Sequence, residues 1–156
     1  MVTNNVLKRG SIALISGLGG ALAIWILAGL TQATELMLLI APFGASCVLV
    51  FALPEAPVAQ PKNVIVGHFL SALVGLLTLT VLGNSILAMG IGVGLAIAVM
   101  QISRSIHPPA GGNPLLVMAI GAGWQFLVLP ILVGSILLVC MGLLYHKLVS
   151  KRAYPA

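Results

Sequence analysis

Four long stretches of this chain contain no Lys, Arg, Asp or Glu: Gly10 to Thr34, Leu36 to Pro54, Asn63 to Ser103 and Ser105 to His146. They run 25, 19, 41 and 42 residues and leave little outside them. A soluble domain carries about a quarter charged residues, whereas this chain has 6% charged and 60% hydrophobic residues, with two Glu and no Asp. It cannot present a water-facing surface, which excludes a soluble enzyme, a disordered tail and a nucleic-acid reader. The net charge of +5 does not favour nucleic acid, because the cations fall between apolar stretches and do not cluster on one wet face. Lipid is the solvent that fits. Cys47 and Cys140 sit singly within apolar runs, with no metal or disulfide spacing, and read as small packing residues.

A bilayer core of about 30 Å takes roughly 20 apolar helical residues to cross. The first two stretches supply one crossing each. The last two supply two each, broken at Gly83-Asn84-Ser85 and Gly121-Ala122-Gly123. The expected fold is therefore an all-α membrane protein of about six transmembrane segments, near 11–31, 36–53, 64–82, 86–103, 105–121 and 124–146. Four crossings plus two re-entrant segments is the alternative. Residues 1–156 form a single transmembrane domain with a basic cytoplasmic tail at 147–156. With the N-terminus inside, Lys8, Arg9, Lys62, Arg104, Lys147, Lys151 and Arg152 all fall on the cytoplasmic side. Both termini are expected there, in an inner (plasma) membrane.

Shifted by 67 residues, the sequence aligns with itself. Pro42, Gly44, Leu49, Val50 and Ala52 match Pro109, Gly111, Leu116, Val117 and Ala119. Val66-Gly67, Leu70 and Gly75-Leu76-Leu77 match Val133-Gly134, Leu137 and Gly142-Leu143-Leu144. Aliphatic-rich chains align with themselves readily, but here the Pro and Gly punctuation matches too. Repeats at 11–82 and 86–146 would each hold three segments. An odd number inverts the second half relative to the first, the 3+3 arrangement of many secondary transporters, whose sites lie where Pro/Gly-broken helices meet.

Segments two and five carry such breaks. Asn113-Pro114 reads as an N-cap followed by a helix-starting proline, and its repeat mate, Ser46, is also an N-cap type. Both halves are expected to restart a helix there, offering N–H groups and a positive dipole end to an anion. Gly44, Gly111 and Gly112 would let a small ligand approach the backbone closely, and Ala45, between Gly44 and Ser46, is expected among the binding residues.

Intramembrane ionisable groups are costly and functional by default. Arg104 reads either as an anion clamp or as an anchor snorkelling to headgroups. His107 reads as a hydrogen-bond or proton donor, with a structural cap as the alternative. His68 is expected to be a packing or interface histidine, and His146 an interfacial one. Gly67, Ser71 and Gly75, and separately Gly90 and Gly94, are spaced for close helix packing. Trp25, Trp124, Tyr145 and Tyr154 fit interfacial belts. No metal-ligand or paired-carboxylate motif is present, so no metal, cofactor or enzymatic activity is expected.

The sequences Ala41-Pro42-Phe43-Gly44-Ala45-Ser46, Pro54 to Asn63 followed by Gly67-His68, and His107-Pro108-Pro109-Ala110-Gly111 resemble, in that order, the HPP family of integral membrane proteins. The resemblance covers residues 10 to 146. It implies a multi-span membrane protein, with His107, Pro108 and Pro109 as the signature. Pro42, Gly44, Ser46, Gln60, Pro61, Asn63, Gly67 and His68 are its other marks. Plant and cyanobacterial members are associated with nitrite transport. Together the two lines lead to the expectation of a transporter for a small inorganic anion, nitrite first, acting as a homo-oligomer in the lipid bilayer. The anion would sit between Pro42–Ser46 and His107–Asn113, with Arg104 drawing it in and Pro114 and His68 shaping the site. A passive channel and a non-transporting assembly subunit are the alternatives.

Overall fold

The computed structural model describes the backbone of residues 2–156 and the side chains from Arg9 onward. The expected placement of the Lys8 side chain lies outside the described residues. Every regular element among the described residues is helical. Helix α1 spans Val2–Thr34, α2 Ala41–Cys47, α3 Pro61–Leu82, α4 Ile86–Ile102, α5 Asn113–Ile120 and α6 Val133–Tyr145. A π-helical turn extends α2 through Val48–Ala52. A 3-10 turn at Pro108–Gly112 leads into α5. Turns at Trp124–Leu127 and Val128–Leu132 precede α6, and a π turn at His146–Ser150 follows it.

Arg9–Thr34, Pro61–Leu82 and Trp124–Ser150 are long and apolar enough to cross a membrane, and Ile86–Ile102 is shorter. Segments two and five differ in kind. Their helical parts comprise 12 and 13 residues, which rise roughly 20 Å against a core of about 30 Å. The expected break after α3 is built from local turn chemistry. Gly83 takes φ +69°, and Ser85 accepts a hydrogen bond from the Ala88 N–H at 3.1 Å as the N-cap of α4. Gly121, at φ +58° and ψ 45°, ends α5 in the left-handed helical region, and glycine enters both of these positive-φ conformations without steric cost.

Helix α3 forms the spine. Asn63, Gly67, Ser71 and Gly75 recur every four residues and so share one face, and that face lies along residues 105–117. Asn63 Nδ2 donates to the Ile106 carbonyl at 2.9 Å, and Ser71 Oγ donates to the Ala110 carbonyl at 2.6 Å. A methyl group at Gly67 would come within 2.8 Å of the Ser105 carbonyl and of His107 Cβ, and one at Gly75 within 2.8 Å of Pro114 Cα. Helix α6 treats the first half alike: a methyl at Gly134 would meet the Leu38 carbonyl and Phe43, and one at Gly142 would meet Val50. These contacts exchange under the 67-residue offset. Gly67 against residue 105 becomes Gly134 against residue 38, and Gly75 against Val117 becomes Gly142 against Val50.

Gly90 and Gly94 are exposed with nothing near them, so within this chain they do not perform the packing expected of them. Gly92 does, meeting Met118 and Pro114. Of the two cysteines Cys47 is buried and Cys140 exposed. Trp25 and Trp124 are exposed, but Tyr145, Tyr154 and His146 are buried, not interfacial. Tyr145 donates to the Ile15 carbonyl, while His146 Nε2 donates to the Val50 carbonyl at 2.8 Å and packs beside Phe51 and Tyr154. The basic tail is docked, not loose. Arg152 reaches the Ala52 carbonyl and lies 3.8 Å from Glu55, Tyr154 donates to the Ala59 carbonyl, and the Ala156 N–H donates to Gln60 Oε1.

Candidate functional site

Ser46, His68, His107 and Asn113 are all fully buried and meet through side-chain hydrogen bonds. Ser46 comes from α2, His68 from α3, His107 from the approach to the Pro108 turn and Asn113 from the start of α5. The small face of α3 draws the 105–117 segment close enough for this meeting, because Gly67 leaves room for the His107 backbone and Cβ. Phe43 packs edge-on against His68 with ring centroids 5.0 Å apart, and His68 lies 5.0 Å from His107.

The geometry fixes the direction of each hydrogen bond. Asn113 Nδ2 lies 3.0 Å from the His68 carbonyl, so the group there must be the amide NH2. The same NH2 lies 3.1 Å from His68 Nδ1, which must therefore accept. His68 then carries its proton on Nε2 and donates to Ser46 Oγ at 2.8 Å. At the other end, His107 Nδ1 faces the Val58 carbonyl at 2.7 Å and must donate. The neutral His107 ring therefore accepts at Nε2, from Ser46 Oγ at 2.8 Å. One chain runs from Asn113 through His68, Ser46 and His107 to Val58, with every donor used once. Ser46 Oγ also lies 3.2 Å from the Pro42 carbonyl, a second acceptor for its hydroxyl. Asn113 Oδ1 is buried without a hydrogen-bond partner.

Several expected site residues fall elsewhere. Ser46 and Asn113 do not cap helices. Helix α2 begins five residues before Ser46, with Ile40 as N-cap and Pro42 in its first turn, and Gly112 precedes α5 without a capping side chain. Proline at the first turn sets both restarts, which releases Ser46 and Asn113 to bond His68. Gly44 and Ala45 are exposed, and Gly44 lines an apolar groove of about 960 Å³ with Gly17, Gly20 and Trp25 of α1, away from the histidines. Arg104 is exposed at φ +52°, and its side chain has no hydrogen bond or ion pair among the described residues. Pro108 is exposed, Pro109, Gly111 and Gly112 are half-buried, and Pro114 is buried against Gly75 and Gly92. The two breaks do touch, since a methyl on Gly112 would lie 3.6 Å from Pro42 Cγ.

His68 is the residue that sequence reasoning undervalued. A lone histidine on an apolar helix reads as packing, but Asn63, Gly67, Ser71 and Gly75 mark the buried face beside it.

Residues 7–155 match the family described as HPP, transmembrane region. A transmembrane protein of Dictyostelium discoideum is 38% identical over 129 residues, which cover 78% of this chain and 45% of the relative. A second transmembrane protein of that organism is 35% identical over 133 residues, covering 80% of this chain and 43% of the relative. This chain thus spans less than half the length of these curated relatives. No solved structure matches it.

Proposed function

The chain belongs to the HPP transmembrane family, and from that premise we propose that it transports a small inorganic anion, nitrite first, across an inner (plasma) membrane. The observation that carries this reading is the buried chain of Ser46, His68, His107 and Asn113 at the meeting of two half-length helical segments. Buried polar groups inside a membrane are expensive, and a fold that needed only packing would not gather four of them. The exchange of glycine contacts under the 67-residue offset supports two halves related as inverted repeats, the arrangement that places transporter sites at such a meeting.

The donors are satisfied by one another in this arrangement. An anion that displaced the Ser46 oxygen as acceptor would receive the His68 Nε2–H and the Ser46 hydroxyl, with no carboxylate among the described residues close by to repel it. Ser46, His68, His107 and Asn113 bind; Pro42, Pro108, Pro109, Gly111, Gly112 and Pro114 shape the backbone around them. Both termini lie on the cytoplasmic side in this reading, following the seven cations, and the protein works as a homo-oligomer, with the exposed small residues Gly90 and Gly94 open to close approach by a neighbouring copy. Nitrite uptake into liposomes holding the purified protein tests the proposal, beside His107→Ala. Saturable uptake lost in the variant supports a carrier. Flux without saturation or counterflow would instead indicate a channel. Inert, folded protein would leave a membrane assembly subunit.

A further inference from the structure

We propose that His107 is a proton-binding site, reported by rotation of the Ser46 hydroxyl, so that one proton is taken up with each anion. The anion part rests on the transport reading above, while the proton part rests on the hydrogen-bond geometry.

The two buried imidazoles differ in what a second proton would do. On His68 it would land on Nδ1 and point at the Asn113 NH2, 3.1 Å away, whose orientation the His68 carbonyl fixes. Two donors would then oppose each other. On His107 the proton lands on Nε2, whose partner is a hydroxyl at 2.8 Å. That hydroxyl can turn, because the Pro42 carbonyl offers it another acceptor at 3.2 Å. The Ser46 oxygen then accepts from both His68 Nε2–H and His107 Nε2–H, using its two lone pairs. The balance is simple: an aqueous proton adds to the His107 Nε2 lone pair, the Ser46 hydrogen bond to that nitrogen is exchanged for one to Pro42, and no donor is stranded.

Charge supplies the coupling. From α3 the titratable group facing His107 is His68, whose Nδ1 meets the Asn113 NH2; on α2, Cys47 is turned toward Gly20 of α1 instead. Arg104, three residues upstream, is exposed. On the 53–60 loop that supplies Val58, Glu55 is engaged with Arg152, and Tyr154 bonds the neighbouring Ala59 carbonyl. No described carboxylate faces the ring. A buried imidazolium without a counter-ion is costly, and an anion beside a neutral ring lacks a cation. Each therefore favours the other's binding, and by linkage reciprocally.

Protein carrying 15N-labelled histidine, in lipid nanodiscs, gives the test. Ring-nitrogen NMR against pH is recorded in sodium nitrite and in a control salt of a large organic anion. The expected result is that His68 keeps the Nε2–H tautomer while His107 gains its second proton, with a midpoint raised by about one pH unit, a roughly tenfold mutual effect, in nitrite. Ser46→Thr keeps this shift and Ser46→Ala loses it. Signals are assigned with His107→Gln and, if that variant does not fold, with His146→Gln and His68→Gln. The proposal is overturned if His68 takes a proton before His107, or if nitrite leaves the His107 midpoint unmoved. Liposome uptake separates the two readings. Persisting uptake with an unmoved midpoint removes the coupled proton and keeps the transporter, whereas absent uptake with a nitrite-dependent midpoint keeps the proton site and removes the transporter.

Discussion

Ser46 and Asn113, partners in the 67-residue self-alignment, hold the same imidazole from opposite sides. Ser46 Oγ lies 2.8 Å from His68 Nε2, and Asn113 Nδ2 lies 3.1 Å from His68 Nδ1. His68 is thereby fixed in rotamer and tautomer, and Ser46 passes the constraint on to His107. A single hydroxyl joins both rings.

Removing the Asn113 amide tests that orientation. Asn113→Leu deletes the donor to His68 Nδ1 and should cost about 1–3 kcal/mol, the usual penalty for a buried group left unpaired. Asn113→Asp should cost more at neutral pH, because it places a carboxylate oxygen where the NH2 now faces the His68 carbonyl at 3.0 Å. Thermal unfolding in detergent ranks the two. An Asp variant as stable as the Leu variant would mean that the amide is the other way round.

Glycine substitutions should divide by what the added methyl meets. Gly67→Ala and Gly75→Ala each press Cβ to 2.8 Å from opposing backbone atoms and should destabilise by about 1–3 kcal/mol through overpacking. Gly90→Ala and Gly94→Ala meet nothing within 4 Å and should be neutral or stabilising by about 0.5–1 kcal/mol, since Ala is the better helix former. Unfolding temperatures of the four variants check this. Oligomers lost in Gly90→Ala or Gly94→Ala would place a neighbouring copy against α4.

Nitrite uptake should respond to the buried chain and not to the exposed arginine. His68→Ala strands Ser46 and Asn113 and should lower the rate about tenfold or more, the equivalent of one hydrogen bond's worth of barrier. Arg104→Gln should stay within about twofold at physiological salt, where an exposed charge that touches none of the buried chain is largely screened. The reverse ranking in liposomes would restore Arg104 to the site and remove His68 from it.

Features governed by neighbouring residues were legible in the sequence. The break at Gly83-Asn84-Ser85 is one, because a positive-φ glycine and a serine cap act within three residues. The break at His107-Pro108-Pro109 is also where expected, since proline leaves the chain few choices, whereas in segment two the helix already starts at Ala41 and runs unbroken through Pro42 and Ser46. The role of Ser46 and Asn113 was not legible: both are good N-caps locally, and the partner that claims them lies 22 and 45 residues away. Tyr145, His146 and Tyr154 misled for the same reason. At a segment end they read as interfacial, but the tail folds back and buries them against Val50, Phe51 and Ala59.

That folded tail has its own pH limit. Tyr154 donates its hydroxyl to the Ala59 carbonyl at 3.0 Å, next to Val58, whose carbonyl holds His107. Burial raises its pKa above the ordinary tyrosine value, which is near 10. The neutral phenol is thus the form that the docked tail favours. Its contribution is complete below about pH 10 and is lost as pH rises from there toward the higher folded-state value. Tail docking should therefore hold at neutral pH and weaken in alkali. Tyr154→Phe should loosen it at neutral pH, by about 0.5–1.5 kcal/mol for one hydrogen bond, and remove the alkaline step. Trypsin cleavage at Lys151 and Arg152, with the protein in nanodiscs at pH 7 to 10.5, reads both effects. Equal cleavage of the parent and Tyr154→Phe at pH 7 would show that the hydroxyl does not hold the tail.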